Sequence, residues 1–223
     1  MPAYLKPVTV CDDRNPRAAN EKIVADLAAE LQLTVPPVLL FRRGQCPPGA
    51  EARACLSLVT HDEYWEWGTV NQLTGGFEKA LASTLLSRGS GLLALDTWVA
   101  NTDPNNNRNA VFAYRPADAG TSAFMFIDHA YSLNHSDQWT GEKWKKVSLP
   151  SAPKLFMDSI DKWVLGRTLS SIELLADDVI DEIVGRIPAD YMVADHSRTV
   201  VAGLKGRRAL LRPVLEQSLG VTL

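Results

Sequence analysis

The stretch from Asp96 to Leu133, DTWVANTDPNNNRNAVFAYRPADAGTSAFMFIDHAYSL, constrains the fold more than any other part of the chain. Asp103 sits in a loop whose Asn and Asp side chains compete with the backbone for its own hydrogen bonds, so neither helix nor strand passes through it. The apolar run AVFAY follows as a strand. After a connector, a second apolar run ends at Phe126-Ile127-Asp128-His129. A loop carboxylate, a nearby Asn and a carboxylate at a strand end together suit phosphoryl transfer. One acid takes or orients the proton of an acceptor hydroxyl, while the Asn and the second acid hold Mg²⁺ on nucleotide phosphates.

Such chemistry also needs a cation on the phosphates, and the N-terminal region offers one. Tyr4-Leu5-Lys6-Pro7-Val8 reads as a short strand carrying one Lys. A polar loop leads to Ala19-Asn20-Glu21, opening a helix with Ile23, Val24, Leu27, Ala28 and Leu31 at helical spacing. Pro36-Pro37 closes it and starts the strand Val38 to Phe41. A strand Lys braced by a helix Glu fixes the α- and β-phosphates in kinase folds. Alternatively, Lys6 is an exposed strand charge and Glu21 merely favours the helix N-terminus.

These segments resemble the HipA-like kinases over nearly the whole chain. ANEKIVADLAAELQLTVPPVLL is similar to that family's NE–helix–PP segment. DTWVANTDPNNNRN resembles its catalytic loop, shared more loosely by the phosphatidylinositol 3/4-kinases, and FIDHAYSL resembles its metal-binding segment. Arg186 to Tyr191 followed by LKGRRALL resembles its closing helices. The resemblance implies ATP and Mg²⁺ as cofactors, with Lys6 on the phosphates, Glu21 bracing it and Asp103 as the catalytic base. It also implies Asn109 and Asp128 as the metal ligands, with Asp128 the main one. The implied activity is phosphorylation of a Ser/Thr hydroxyl on a protein, in a family whose toxin members phosphorylate aminoacyl-tRNA synthetases.

The chain departs from the family pattern at three points. Pro104 replaces the Arg that follows the catalytic Asp. The fifth position after Asp103 is Arg108 rather than Asn, leaving Asn107 and Asn109 as ligand candidates; Asn109 is preferred because it directly precedes AVFAY. No Gly-rich hairpin precedes the Lys strand to cover the phosphates. The alternative function is therefore a pseudokinase, a kinase-derived binding scaffold with little or no ATP turnover. In either case the edge of the Lys strand would receive an N-lobe-completing or antitoxin-like partner.

Other chemistries fit less well. DPNNNRN imitates the start of a calcium-binding loop, but Arg108 stands where Gly is required and Tyr114 where a bidentate Glu is required. The four His lie at no zinc-hydrolase spacing, and no G-x-S-x-G surrounds a Ser. His129 reads as a packing and hydrogen-bonding residue, with orientation of Asp128 as its secondary role.

The chain is 223 residues long, 46% hydrophobic and of net charge −3, so it can bury a full core and carries no default nucleic-acid surface. Three Cys without CxxC spacing fit a reducing cytoplasm. No apolar run reaches the roughly 18 residues of a membrane span, and no basic amphipathic stretch marks a lipid-facing surface. The expected class is α+β, a protein-kinase-like two-lobed fold with a reduced N-terminal β lobe over residues 1–62. Its C-terminal lobe, 63–223, is mainly helical. Arg53 to Thr60 should be the strand entering the hinge, where the Leu58, Val59 and Thr60 backbone faces the adenine edge. HDEYWEWG reads as an aromatic cluster at the lobe junction. Helices are expected over 78–86, 91–100, 155–165, 171–184 and 198–217, with Ser170 or Ser171 capping. Lys205, Arg207, Arg208 and Arg212 should form a solvated face.

Overall fold

Two short antiparallel sheets and a set of helices follow from the apolar runs above. The computed structural model describes residues 3–7, 16–41, 54–66, 76–101, 109–114, 122–133, 146–150, 152 and 154–223. The first sheet contains β1 (Ala3–Pro7), β2 (Val38–Phe41) and β3 (Ala54–Leu58) in the order β1-β3-β2. Its register sets Lys6 opposite Cys55, and Leu40 opposite Cys55 from the other side. Helix α1 (Arg17–Glu30) packs on this sheet and buries Ile23, Val24, Leu27 and Ala28, the stripe its 3.6-residue period predicts. The chain then leaves the helix through Gln32 at φ 55°, with Leu33 N–H bonded back to Ala28 O.

The second sheet has β5 (Ala110–Tyr114) between β4 (Glu63–Glu66) and β6 (Ala123–Phe126). Sequence periodicity did not mark β4, whose EYWE was expected only as an aromatic cluster. Tyr64 and Trp65 are in fact paired with Ala113 and Phe112. Alternation along β5 and β6 gives the sheet two apolar faces. Phe112, Phe124 and Phe126 turn to the main core, where Phe156 joins them; Val111, Ala113 and Met125 form a separate buried patch with Tyr64 and Ile127.

The helices come next: α2 (Gly76–Arg88), α3 (Gly91–Trp98), α4 (Lys154–Asp158), α5 (Lys162–Leu174), α6 (Asp177–Gly185) and α7 (Ala194–Leu219). The region expected as one helix over 155–165 is two, because the Asp161 side chain accepts from Trp163 and Val164 N–H and starts α5 afresh. Ser170 and Ser171 therefore lie inside α5 and cap nothing. Helix α3 is buried on every side, and a Cβ on Gly91 would lie 2.4 Å from Thr168 Oγ1 of α5. Any larger residue there would have to displace the Thr168 and Leu33 side chains.

The basic residues of α7 are not one solvated face. Lys205 pairs with Asp181 at 2.8 Å, Arg208 with Asp177 and Arg212 with Glu173 at 2.7 Å, tying α7 to α6 and α5. Arg207 is only 1% exposed. No helix among the described residues is long and apolar enough to cross a membrane.

Candidate active site

The backbone brings the two expected metal ligands together. Ala110 pairs with Phe126 in the β5–β6 ladder, and one step further Ile127 N–H donates to Asn109 O at 2.9 Å. Asn109, 5% exposed, thus enters β5 beside the residue that precedes Asp128. Asp128 sits at φ 63° and ψ 63°, a left-handed conformation that Asp tolerates better than most residues. A 3-10 turn, His129–Tyr131, follows it, and the Asp128 carboxylate does not cap that turn. A carboxylate and an amide oxygen are the hard donors Mg²⁺ prefers, and Mg²⁺ bound with phosphates takes only one or two protein carboxylates. No group of three or more His, Cys, Asp or Glu able to hold a metal ion occurs among the described residues. The donor types of Asn109 and Asp128 would suit Mg²⁺ bound with a nucleotide.

Two further expected site residues fall where little can be described. Asp103 and the whole 102–108 segment lie outside the described residues, as does the side chain of Lys6. Glu21 is on α1 and 5% exposed. A carboxylate at that depth requires a polar or charged partner, and α1 packs on β3, the strand paired with Lys6.

Of the backbone donors over residues 58–60, two are engaged within the chain. Leu58 N–H donates to Pro37 O at 2.9 Å and Thr60 N–H to the Tyr64 hydroxyl at 2.8 Å. The same hydroxyl accepts from His61 N–H at 3.1 Å. Val59 is then the member of the three whose N–H is given no partner by the described residues. Tyr64 also packs against the Val111–Met125 patch, so that apolar face adjoins residues 60–61.

Apart from His129, read as a packing and hydrogen-bonding residue, sequence reasoning missed the buried polar groups that hold these parts together. Asp96 lies on α3 with 0% exposure. One of its carboxylate oxygens accepts from Asn101 Nδ2 at 2.9 Å, and the other bonds His129 Nε2 at 3.2 Å. Asn101 N–H donates to Asp96 O as well, at 2.9 Å, across a left-handed Ala100. From α1, Asn20 Nδ2 donates to Ala130 O at 3.1 Å and Ser132 O at 2.9 Å. Arg17 stacks on the Tyr131 ring at 4.9 Å. From α7, Arg207 donates to Trp98 O, Thr97 O and Lys146 O at 2.7, 2.5 and 3.0 Å, while Trp98 Nε1 donates to Leu204 O at 2.8 Å. The signal in the sequence is a charged or amide residue inside an otherwise apolar helical pattern, which a folded chain must pair.

A small sheet with one packed helix, then a second sheet whose strand ends carry Asn and Asp among many helices, is a kinase-like fold of the α+β class. Among solved structures, two examples share it. The Helicobacter pylori proinflammatory kinase CtkA aligns with a TM-score of 0.63 at 14% identity, over 97% of this chain and 87% of that one. HipA of Shewanella oneidensis MR-1, solved in a toxin–antitoxin complex with HipB and operator DNA, aligns with a TM-score of 0.58 at 15% identity. That alignment covers 92% of this chain and 58% of HipA. No family model and no curated protein matches the sequence.

Proposed function

We propose that the chain is an ATP- and Mg²⁺-dependent phosphotransferase of the HipA-like type, acting on a Ser or Thr hydroxyl of a protein. The observation that carries this reading is the β5–β6 register, which sets Asn109 beside the Ile127-Asp128 peptide in a fold shared with two kinases. In this reading Asn109 and Asp128 hold the metal, and Lys6, braced by Glu21, lies on the phosphates. The Val59 peptide meets the base edge, with Val111 and Met125 beneath the ring. Asp103 orients the acceptor hydroxyl and takes its proton. The bound Mg²⁺ would supply neutralisation of charge on the phosphates.

A second reading is a kinase-derived scaffold. It is favoured by the position of β1, an edge strand that among the described residues pairs with β3 alone. An exposed strand edge accepts another chain. An antitoxin-like or lobe-completing protein would suit it, by analogy with the HipB-bound HipA.

One experiment separates the readings. Mg·ATP at about 100 times its dissociation constant should stabilise the wild type by roughly 2.7 kcal/mol, seen as a rise in Tm. Asp128→Ala should abolish that rise. Asp103→Ala should keep the rise but lose phosphoryl transfer. A wild type whose Tm ignores Mg·ATP supports the scaffold, and equal turnover by Asp103→Ala defeats the kinase assignment.

A further inference from the structure

We infer that Asp96 is a positioning residue that clamps the loop leading to Asp103 against the segment carrying Asp128, an inference that rests on the phosphotransferase reading. The carboxylate is fully buried and both its oxygens are committed, one to each segment. Asn101 lies two residues before Asp103 in the chain, and His129 directly follows Asp128. A single side chain thus touches the immediate neighbour of one expected site acid and the near neighbour of the other.

The backbone supports the same link. Leu133 N–H donates to Val99 O at 2.6 Å, crossing between the two segments again. Ala100, Asp128 and Leu133 all adopt left-handed angles, at φ 53°, 63° and 59°. Strained non-glycine conformations persist only where surrounding contacts over-determine them, and here they cluster around the Asp96 contacts. Burying a carboxylate needs more than one hydrogen bond to offset lost hydration. An apolar residue in this buried position would avoid that cost, so the charge serves to fix geometry.

The test combines exchange and kinetics on the full chain. Asp96→Asn preserves volume but replaces one acceptor oxygen with an NH₂, which either loses the bond from Asn101 Nδ2 or forces the His129 ring into its other tautomer. Hydrogen–deuterium exchange should accelerate by about tenfold or more in peptides over 97–101 and over 127–133 together, with α5 and α7 unchanged. Turnover should fall by about a hundredfold while the KM for ATP stays within about threefold, the signature of misplaced reacting groups rather than lost binding. His129→Gln, which keeps an N–H donor, should retain several times more activity than His129→Leu. Unchanged exchange in both segments overturns the inference, and so does acceleration spread evenly over the chain. Wild-type kcat in Asp96→Asn overturns it as well. If the wild type neither binds nor turns over Mg·ATP, the phosphotransferase reading fails, and the exchange arm alone decides whether the clamp exists.

Discussion

Arg207 is a cation enclosed by protein, and its burial sets its chemistry. Desolvation lowers its pKa to about 10, which leaves it protonated at neutral pH. Its guanidinium spreads over Thr97 O and Trp98 O at the end of α3, where the helix dipole is negative, and over Lys146 O. Arg207→Met should cost about 3 kcal/mol, because buried carbonyls lose their donors. Arg207→Lys should cost roughly half, since an ammonium lacks the guanidinium's planar fork. Urea midpoints of the three proteins give the answer, and equal midpoints would show the carbonyls to be satisfied otherwise. In the sequence Arg207 hides among Lys205, Arg208 and Arg212, all of which a solvated helix face would explain. The distinguishing signal is its place in the buried stripe Val200, Leu204, Leu211, Leu215. Asp96 is harder to read, because α3 is apolar all round and periodicity offers no inner and outer face. Strands β5 and β6 are legible for the opposite reason: short apolar runs bounded by polar punctuation act locally.

At the scale of elements, α1 grips the turn after Asp128. Asn20 spends both N–H groups on that turn, while its own Oδ1 and the Ser132 hydroxyl are buried without hydrogen-bond partners among the described residues. Two substitutions should therefore differ sharply. Asn20→Asp removes both donors and sets oxygen against oxygen, costing roughly 2–4 kcal/mol. Ser132→Ala removes a hydroxyl that bonds no described residue and should change stability by no more than about 0.5 kcal/mol. Thermal unfolding of both variants measures the contrast; similar losses would mean that Asn20 does not hold the turn. The bounds of β2 and β5 follow directly from their apolar runs. β4 escapes notice because four residues, two of them Glu, carry too little pattern. The breaks at Asp161 and between Leu174 and Asp177 escape it too, since a cap within a continuous apolar stripe leaves periodicity intact.

For the molecule as a whole, one buried cluster runs from Ala18 and Ile23 on α1 through Trp98 and Phe112 to Leu211 and Leu215 on α7. Helix α1 also packs on α6. The sequence division at residue 62 is therefore crossed by shared core. Chemical denaturation should give one transition, coincident by far- and near-ultraviolet circular dichroism. Two separated transitions would show that the N-terminal sheet melts by itself.

The bonds from α7 to α3 also change how a mutational map of this protein would read. Arg207 and Trp98 are 109 residues apart in the chain, yet Arg207 fixes the helix end from which the Asp103 loop departs. In a deep substitution library selected for activity, sensitive positions would gather near Leu204 and Arg207 as well as around the loop. A ligand-contact interpretation of that second cluster would misplace the substrate. Sorting variants by abundance as well as activity would separate the two, because losses at Arg207 would travel with loss of folded protein.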